Sequence, residues 1–163
     1  MRDNPETFRD RVHLATWVAG VAPTAIELPA TGTASFSGHN IGNVINNGAK
    51  YVAAGTYTQS WDFASRTGAA TISGFDTVGS GIRGGIATST AIASVPGAVV
   101  FGGSISDVAV STPGFSAAIS GSFFKDATAV SGVGVGGAFV LGSNSGTYTA
   151  TGTFAAKQTG LAP

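Results

Sequence analysis

The chain has 163 residues, no cysteine and no net charge, and only 10% of its residues are charged. Its length fits one domain with a single core. The lack of cysteine excludes disulfides and thiolate metal sites. Without a basic run, the chain also lacks the electrostatic footprint of a nucleic-acid-binding protein. A composition rich in Gly, Ser and Thr and poor in charge indicates a bacterial extracellular protein.

The first 30 residues differ from the rest, because seven of the charged residues lie among the first 27. Asn4-Pro5-Glu6 predicts a helix start, with Asn as the cap and Pro at the first helical position. Residues 11–19 fit a helix or a strand, and their β-branched and aromatic content favours the strand. We therefore predict an N-terminal extension over residues 1–30, with a helical turn, a strand and a linker, before a barrel domain over residues 31–163.

From residue 31 onward, short runs alternate small polar and apolar residues with the period of two that is typical of strands. The first runs cover residues 31–39, 41–45, 51–63, 69–75, 82–93 and 98–105, and three more fill the last third of the chain. Glycines at 79–85 predict a kink or bulge. About eight or nine strands at this spacing predict an all-β fold, an antiparallel up-and-down β-barrel of about eight strands with a short N-terminal helical turn or extension.

Turn residues separate the runs. Asn46-Asn47-Gly48 is the strongest hairpin signal in the chain, and residues 142–145 form a polar stretch suited to a tight hairpin. Pro96-Gly97 and Thr112-Pro113-Gly114 predict two further turns. In the last run, threonines occupy one face, and Tyr148, Ala150, Gly152 and Phe154 occupy the other.

The aromatic residues are spread at about one or two per strand. They are Phe36, Tyr57, Trp61, Phe63, Phe75, Phe101, Phe115, Phe123, Phe139 and Phe154. An eight-stranded barrel is just wide enough to be filled by side chains, so we expect these rings in its interior. The alternative is a lipocalin-like cavity for one small, apolar, haem-like ligand.

Alternation alone does not say which face of the barrel is inside, because an outer-membrane barrel turns its apolar face to lipid. The short loops and the lack of a terminal aromatic residue favour the soluble barrel over membrane insertion.

Gly121-Ser-Phe-Phe, followed by Gly136-Gly-Ala-Phe139, resembles the closing signature of the transferrin-binding-protein-like β-barrel domain. The runs 32–38 and 55–75 resemble its opening hairpins, so the resemblance spans roughly residues 31–156. It implies a β-barrel located at a bacterial cell surface, with a structural motif formed by Gly121, Phe123, Gly136, Gly137 and Phe139. Lys125 stands where the family usually has Gly, no acid precedes the double glycine, and the N-terminal lipid-anchored Cys of well-known members is missing. The best-known members bind host proteins with loops that vary freely, so no binding residue carries over, and the resemblance implies the fold and the surface location rather than transferrin binding.

The sequence carries no enzyme signature. His13 and His39 lack the spaced partners of a metal site, and no Gly-x-Ser-x-Gly sits at a strand-to-helix turn. The acids Asp62, Asp76, Asp107 and Asp126 are isolated near predicted strand ends, where Asp62 is placed to pair with Arg66. We therefore predict no catalytic, cofactor or metal site.

What remains are polar loop residues as candidate contacts with a partner, namely Asn46, Asn47, Arg66 and Asn144. The resulting hypothesis is a non-catalytic, extracellular or cell-surface module of a bacterial surface protein. It acts in protein binding or adhesion, and its partner is a host protein or a neighbouring surface protein. The alternative is a self-assembling fibre or stalk subunit whose N-terminal segment docks on another copy.

Overall fold

A computed structural model describes residues 15–77, 86–94, 98–106, 115–125 and 133–162. These residues form a closed barrel in which each strand pairs antiparallel with the next and the first pairs with the last. The strands are β1 (Thr33–Asn46), β2 (Ala49–Asp62), β3 (Thr67–Phe75), β4 (Ile86–Ala93), β5 (Val100–Ser106), β6 (Phe115–Lys125), β7 (Val133–Ser143) and β8 (Tyr148–Ala162). One 3-10 turn (Ala25–Glu27) precedes them in the described part. The prediction of an up-and-down barrel with a short helical turn is confirmed.

The first strand is longer than the sequence indicated. Residues 31–39 and 41–45 were predicted as separate runs, but β1 continues through Asn40. Hydrogen-bonded neighbours on both sides, β2 and β8, hold the backbone extended along its whole length. The buried Asn40 side chain donates from Nδ2 to the Thr56 carbonyl at 2.8 Å, which accommodates a polar residue on the inner face.

The strand predicted over residues 11–19 is wrong in its described part. Residues 15–20 form no strand, and Val21 makes only an isolated bridge to Lys125. The physical reason is closure of the barrel: β1 already pairs with β8, so no free edge remains for another strand. Residues 4–8, where a helix start was predicted, and residues 11–14 lie outside the described residues, as do His13 and the acids Asp107 and Asp126.

The hairpin predicted at Asn46-Asn47-Gly48 is confirmed. Asn47 and Gly48 both have positive φ, 49° and 83°, as a type I′ turn requires. The last hairpin turns over residues 144–147, two positions later than predicted, because Gly142 and Ser143 still pair with β6. The glycines at 79–85 and the turns at Pro96 and Pro113 lie outside the described residues, while β3 shifts register against β4 between Ile72 and Phe75.

The aromatic side chains fill the interior, as expected. Tyr57 stacks on Phe154 with ring centroids 4.0 Å apart, and Phe123 lies 5.3 Å from Trp61 and 5.2 Å from Phe101. Of the ten aromatic residues predicted inside, Phe115 alone is half-buried rather than buried. The rings occupy the space that a lipocalin-like cavity would need. The threonine face of β8 points outward, so the apolar face of this strand is the inner one.

The glycines of the family-like motif make room for these rings. Gly121 and Gly137 are paired across β6 and β7. A Cβ on Gly137 would lie 2.1 Å from the Ser120 carbonyl oxygen and 2.9 Å from the Phe154 ring, and one on Gly121 would lie 2.7 Å from the Phe101 ring. No side chain fits at either position without a backbone shift.

The other motif residues divide between the two faces of the barrel wall. Phe123 and Phe139 are buried inside the barrel. Gly136 faces outward, and a Cβ there would meet the Val18 side chain at 2.8 Å. The motif thus serves packing on both sides of one β-hairpin.

Candidate functional site

The four candidate contact residues lie at opposite ends of the barrel. Because consecutive strands run up and down, consecutive turns alternate between the ends. Asn46 and Asn47, where β1 meets β2, and Asn144, between β7 and β8, share one end, called here the Asn47 end. Arg66, between β2 and β3, lies at the other, called the Arg66 end. The structure therefore brings three of the four residues to one end and separates the fourth.

At the Asn47 end, two turns are bonded side by side. The Asn47 backbone N–H donates to the Thr147 carbonyl at 2.8 Å, and its side-chain Nδ2 donates to Asn46 Oδ1 at 3.0 Å. In the neighbouring loop, the Ser145 hydroxyl lies 3.1 Å from that of Ser143 and 2.8 Å from that of Thr147. These bonds hold the exposed polar groups of the two turns in one arrangement.

A partly buried cluster of polar side chains lies beneath this surface, and sequence reasoning missed it. Asn46 Nδ2 donates to the Tyr51 hydroxyl at 3.4 Å, and that hydroxyl donates to Asp76 Oδ2 at 2.8 Å. Asp76 is only 2% exposed and accepts this hydrogen bond from Tyr51, so it is not the isolated acid that was predicted. Burial raises the pKa of Tyr148, and the negative charge of Asp76 raises it further, so its hydroxyl stays protonated. The 25-residue separation of Tyr51 and Asp76 gives no sequence signal.

At the Arg66 end, the Asp62 side chain holds the loop over residues 63–66. Asp62 Oδ1 accepts hydrogen bonds from the Ala64 and Ser65 N–H groups at 2.8 and 3.1 Å. The predicted Asp62–Arg66 ion pair does not form, because the carboxylate is turned to these donors instead. Arg66 has a φ of 57°, in the left-handed region that a non-glycine residue seldom adopts.

The connector before β1 covers the same end. The Thr24 N–H donates to Glu27 Oε2 at 2.7 Å, and Lys125 Nζ at the end of β6 donates to Glu27 Oε1 at 2.6 Å. The hydrogen bond from Lys125, with smaller contributions from Thr24, lowers the pKa of Glu27 to about 2. Leu28 packs against the core. The ion pair with Lys125, the packing of Leu28 and a hydrogen bond from the Phe63 N–H to the Gly32 carbonyl thus attach the connector to the barrel.

The segment before the connector lies on the outer wall. The Lys125 N–H donates to the Val21 carbonyl at 2.9 Å, Val18 covers Gly136, and a Cβ on Gly20 would lie 2.7 Å from the Phe124 ring. Trp17, by contrast, is 81% exposed. Trp61, the other tryptophan, is buried in the core.

Residues with metal-binding chemistry are not clustered in the described ranges. Within them, no group of three His, Asp or Glu side chains is placed to hold a metal ion, and His39 is exposed on the outer wall of β1. The helices of the described residues include none that is long and apolar enough to cross a bilayer.

The architecture thus defines a class: a closed eight-stranded antiparallel barrel with an aromatic-filled interior and polar turns at both ends. Two solved structures with this fold are mutants of the vaccine antigen Transferrin Binding Protein B (TbpB) from Haemophilus parasuis Hp5. The single mutant matches with a TM-score of 0.54 and 21% identity over 84% of this chain. The double mutant gives 0.52 and 19% over 85%.

This likeness is one of fold, and the resemblance seen in the glycine and phenylalanine motif is confirmed at that level. The chain spans only 28% and 27% of the two TbpB chains. No family model and no curated protein matches the sequence.

Proposed function

We propose that this chain is a non-catalytic β-barrel module that binds a protein partner at a bacterial cell surface. The observation that carries the proposal is the Asn47 end, where the hydrogen bond from Asn47 N to Thr147 O joins two turns into one rigid polar surface. The described residues offer no comparable arrangement for catalysis. The hydrogen bond from half-buried Tyr51 to buried Asp76 supports this surface from inside the barrel.

The fold supports a protein as the partner. TbpB, which shares the fold, is by its name a transferrin-binding protein. A net charge of zero gives no attraction to nucleic acid. The binding that we propose includes adhesion to a host surface. A location outside the cell fits the charge-poor, cysteine-free composition.

We further propose that residues 1–30 are an extension attached to a barrel domain of residues 31–163. One observation favours self-assembly as a second candidate function: among the described residues, the segment at residues 15–21 lies on the outer wall and pairs with the barrel only through the isolated bridge of Val21 to Lys125. Exchange of this segment between copies would link barrels. Removal of residues 1–30, followed by size-exclusion chromatography with light scattering, separates the candidates. Polymers that disappear on truncation support self-assembly, and a monomer in both forms contradicts it.

The test of partner binding uses capture from host serum and from bacterial surface extract, with transferrin alone as a defined probe. Ser145→Arg places a bulky charge on the exposed loop of the Asn47 end, and Ser65→Arg does the same at the Arg66 end as the matched control. We expect the wild type and Ser65→Arg to retain the same partner protein and Ser145→Arg to lose it. Equal retention by all three refutes the assignment to the Asn47 end, and no retained protein from any source refutes the binding function.

A further inference from the structure

We propose that the Arg66 end carries a second binding site, for a small monocarboxylate with one aromatic ring or a short aliphatic chain. The site is a pocket of about 200 Å³ between the connector and the ends of the strands. Trp61, Phe63 and Leu28 form its apolar wall, and Arg66 supplies its cation. It lies at the opposite end from the surface assigned to protein binding and does not depend on that assignment.

The pocket combines an apolar floor with a polar rim. Trp61 and Phe63 are 2% and 5% exposed and belong to the packed core, so the floor is fixed by the same rings that fill the barrel. Arg66 and Ser94 contribute the polar part of the lining. An apolar wall with a few convergent polar groups is the usual composition of a small-molecule site.

Arg66 is held in place by its own backbone. Its carbonyl accepts a hydrogen bond from the Ser94 N–H at 3.1 Å, and the Phe63 N–H donates to the Gly32 carbonyl at 3.0 Å on the other side of the loop. The left-handed φ of 57° disfavours an arginine, and glycine would adopt it without strain. A strained residue that lines a pocket points to a role for its side chain rather than for its backbone.

Within the part of the chain that the structure describes, the charges at this end leave Arg66 available for an external anion. Glu27 is paired with Lys125 at 2.6 Å, and the Asp62 carboxylate accepts from two backbone N–H groups. Within the described residues, neither carboxylate forms an ion pair with Arg66. The planar guanidinium of arginine matches a carboxylate with two parallel hydrogen bonds, which selects this anion among small ligands.

The size of the pocket limits the ligand. Pockets for drug-sized ligands have volumes of about 300–1,000 Å³. At about 200 Å³, this pocket suits a single ring or a short chain next to the carboxylate. Phenylacetate and hexanoate are therefore suitable probes, and phenylacetamide, which has nearly the same shape without the charge, is the matched control ligand.

The test follows the fluorescence of Trp61 in the full chain carrying Trp17→Phe, which removes the exposed tryptophan and leaves Trp61 as the only one. We expect saturable binding of phenylacetate or hexanoate, and binding of phenylacetamide at least about tenfold weaker, as loss of a charge-assisted hydrogen bond predicts. Isothermal titration calorimetry on the unmodified chain checks the stoichiometry of one.

Two variants locate the site. Arg66→Gly removes the guanidinium and suits the left-handed φ, so we expect it to unfold at or above the wild-type temperature while affinity falls about tenfold or more. Ala98→Leu keeps Arg66 and fills part of the pocket, and it should weaken binding as well. The proposal is overturned if neither acid binds saturably, if the amide binds as well as the acid, or if folded Arg66→Gly binds undiminished.

Discussion

The side chain of Phe123 is the central contact of the aromatic core, and its removal gives a quantitative test of the fold. Phe123 is 1% exposed, and its ring centroid lies 5.2–6.1 Å from those of Phe36, Trp61, Phe63 and Phe101. Replacement of a buried phenylalanine by alanine costs about 3–5 kcal/mol, since transfer energy is lost and a cavity remains. For Phe123→Ala we therefore expect a loss of about 4 kcal/mol in the free energy of unfolding, which lowers the melting temperature by roughly 8–16 °C.

Urea denaturation followed by tryptophan fluorescence measures this loss, because Trp61 lies against Phe123. Phe124→Ala is the control, since its ring is the next one along the chain but points to the outer wall, where it is only half-buried. We expect this control to lose less than half as much stability. If the two variants are destabilised equally within about 1 kcal/mol, the inward orientation of Phe123 is refuted.

Three further predictions concern the motif, the connector and the hairpin turn. Gly137→Ala should destabilise the barrel by about 2 kcal/mol or more, because its Cβ would lie 2.1 Å from a carbonyl oxygen of β6. The control is Gly134→Ala, where the atom nearest to the new Cβ is 3.4 Å away, and it should leave the midpoint of urea unfolding nearly unchanged. Equal effects of the two substitutions would contradict this packing. The ion pair of Glu27 with Lys125 lowers the pKa of Glu27 to about 2, so its stabilising effect is complete above the ordinary value near 4.5 and is lost as pH falls toward 2. Wild type should therefore be more stable than Glu27→Gln at pH 7 and equal to it at pH 2, and a difference independent of pH in thermal unfolding would refute the linkage. Asn47→Ala should cost about 1 kcal/mol because its φ is 49°, whereas Asn47→Gly should stay within a few tenths of a kcal/mol of wild type in the same assay; equal losses would exclude the turn geometry as the cause.

The sequence by itself was sufficient for the architecture. Strand alternation depends only on neighbouring residues, since successive side chains point to opposite faces, and the threonines of β8 accordingly lie outside while Tyr148 and Phe154 lie inside. The turn at Asn47 and Gly48 was equally predictable, because few residues adopt two consecutive positive φ values. Local rules therefore sufficed for strands, faces and tight turns.

The tertiary structure alone decided the contacts between residues that are distant in the chain. Closure of β1 on β8 removed the free edge, so residues 15–20, the described part of the predicted N-terminal strand, form no strand. It also separated Arg66 from the asparagines, because alternate turns of an up-and-down barrel go to opposite ends. Contacts such as Tyr51 with Asp76 and Glu27 with Lys125 join residues 25 and 98 positions apart. Such pairings depend on the register and closure of the whole sheet, and no local pattern in the sequence contains that information.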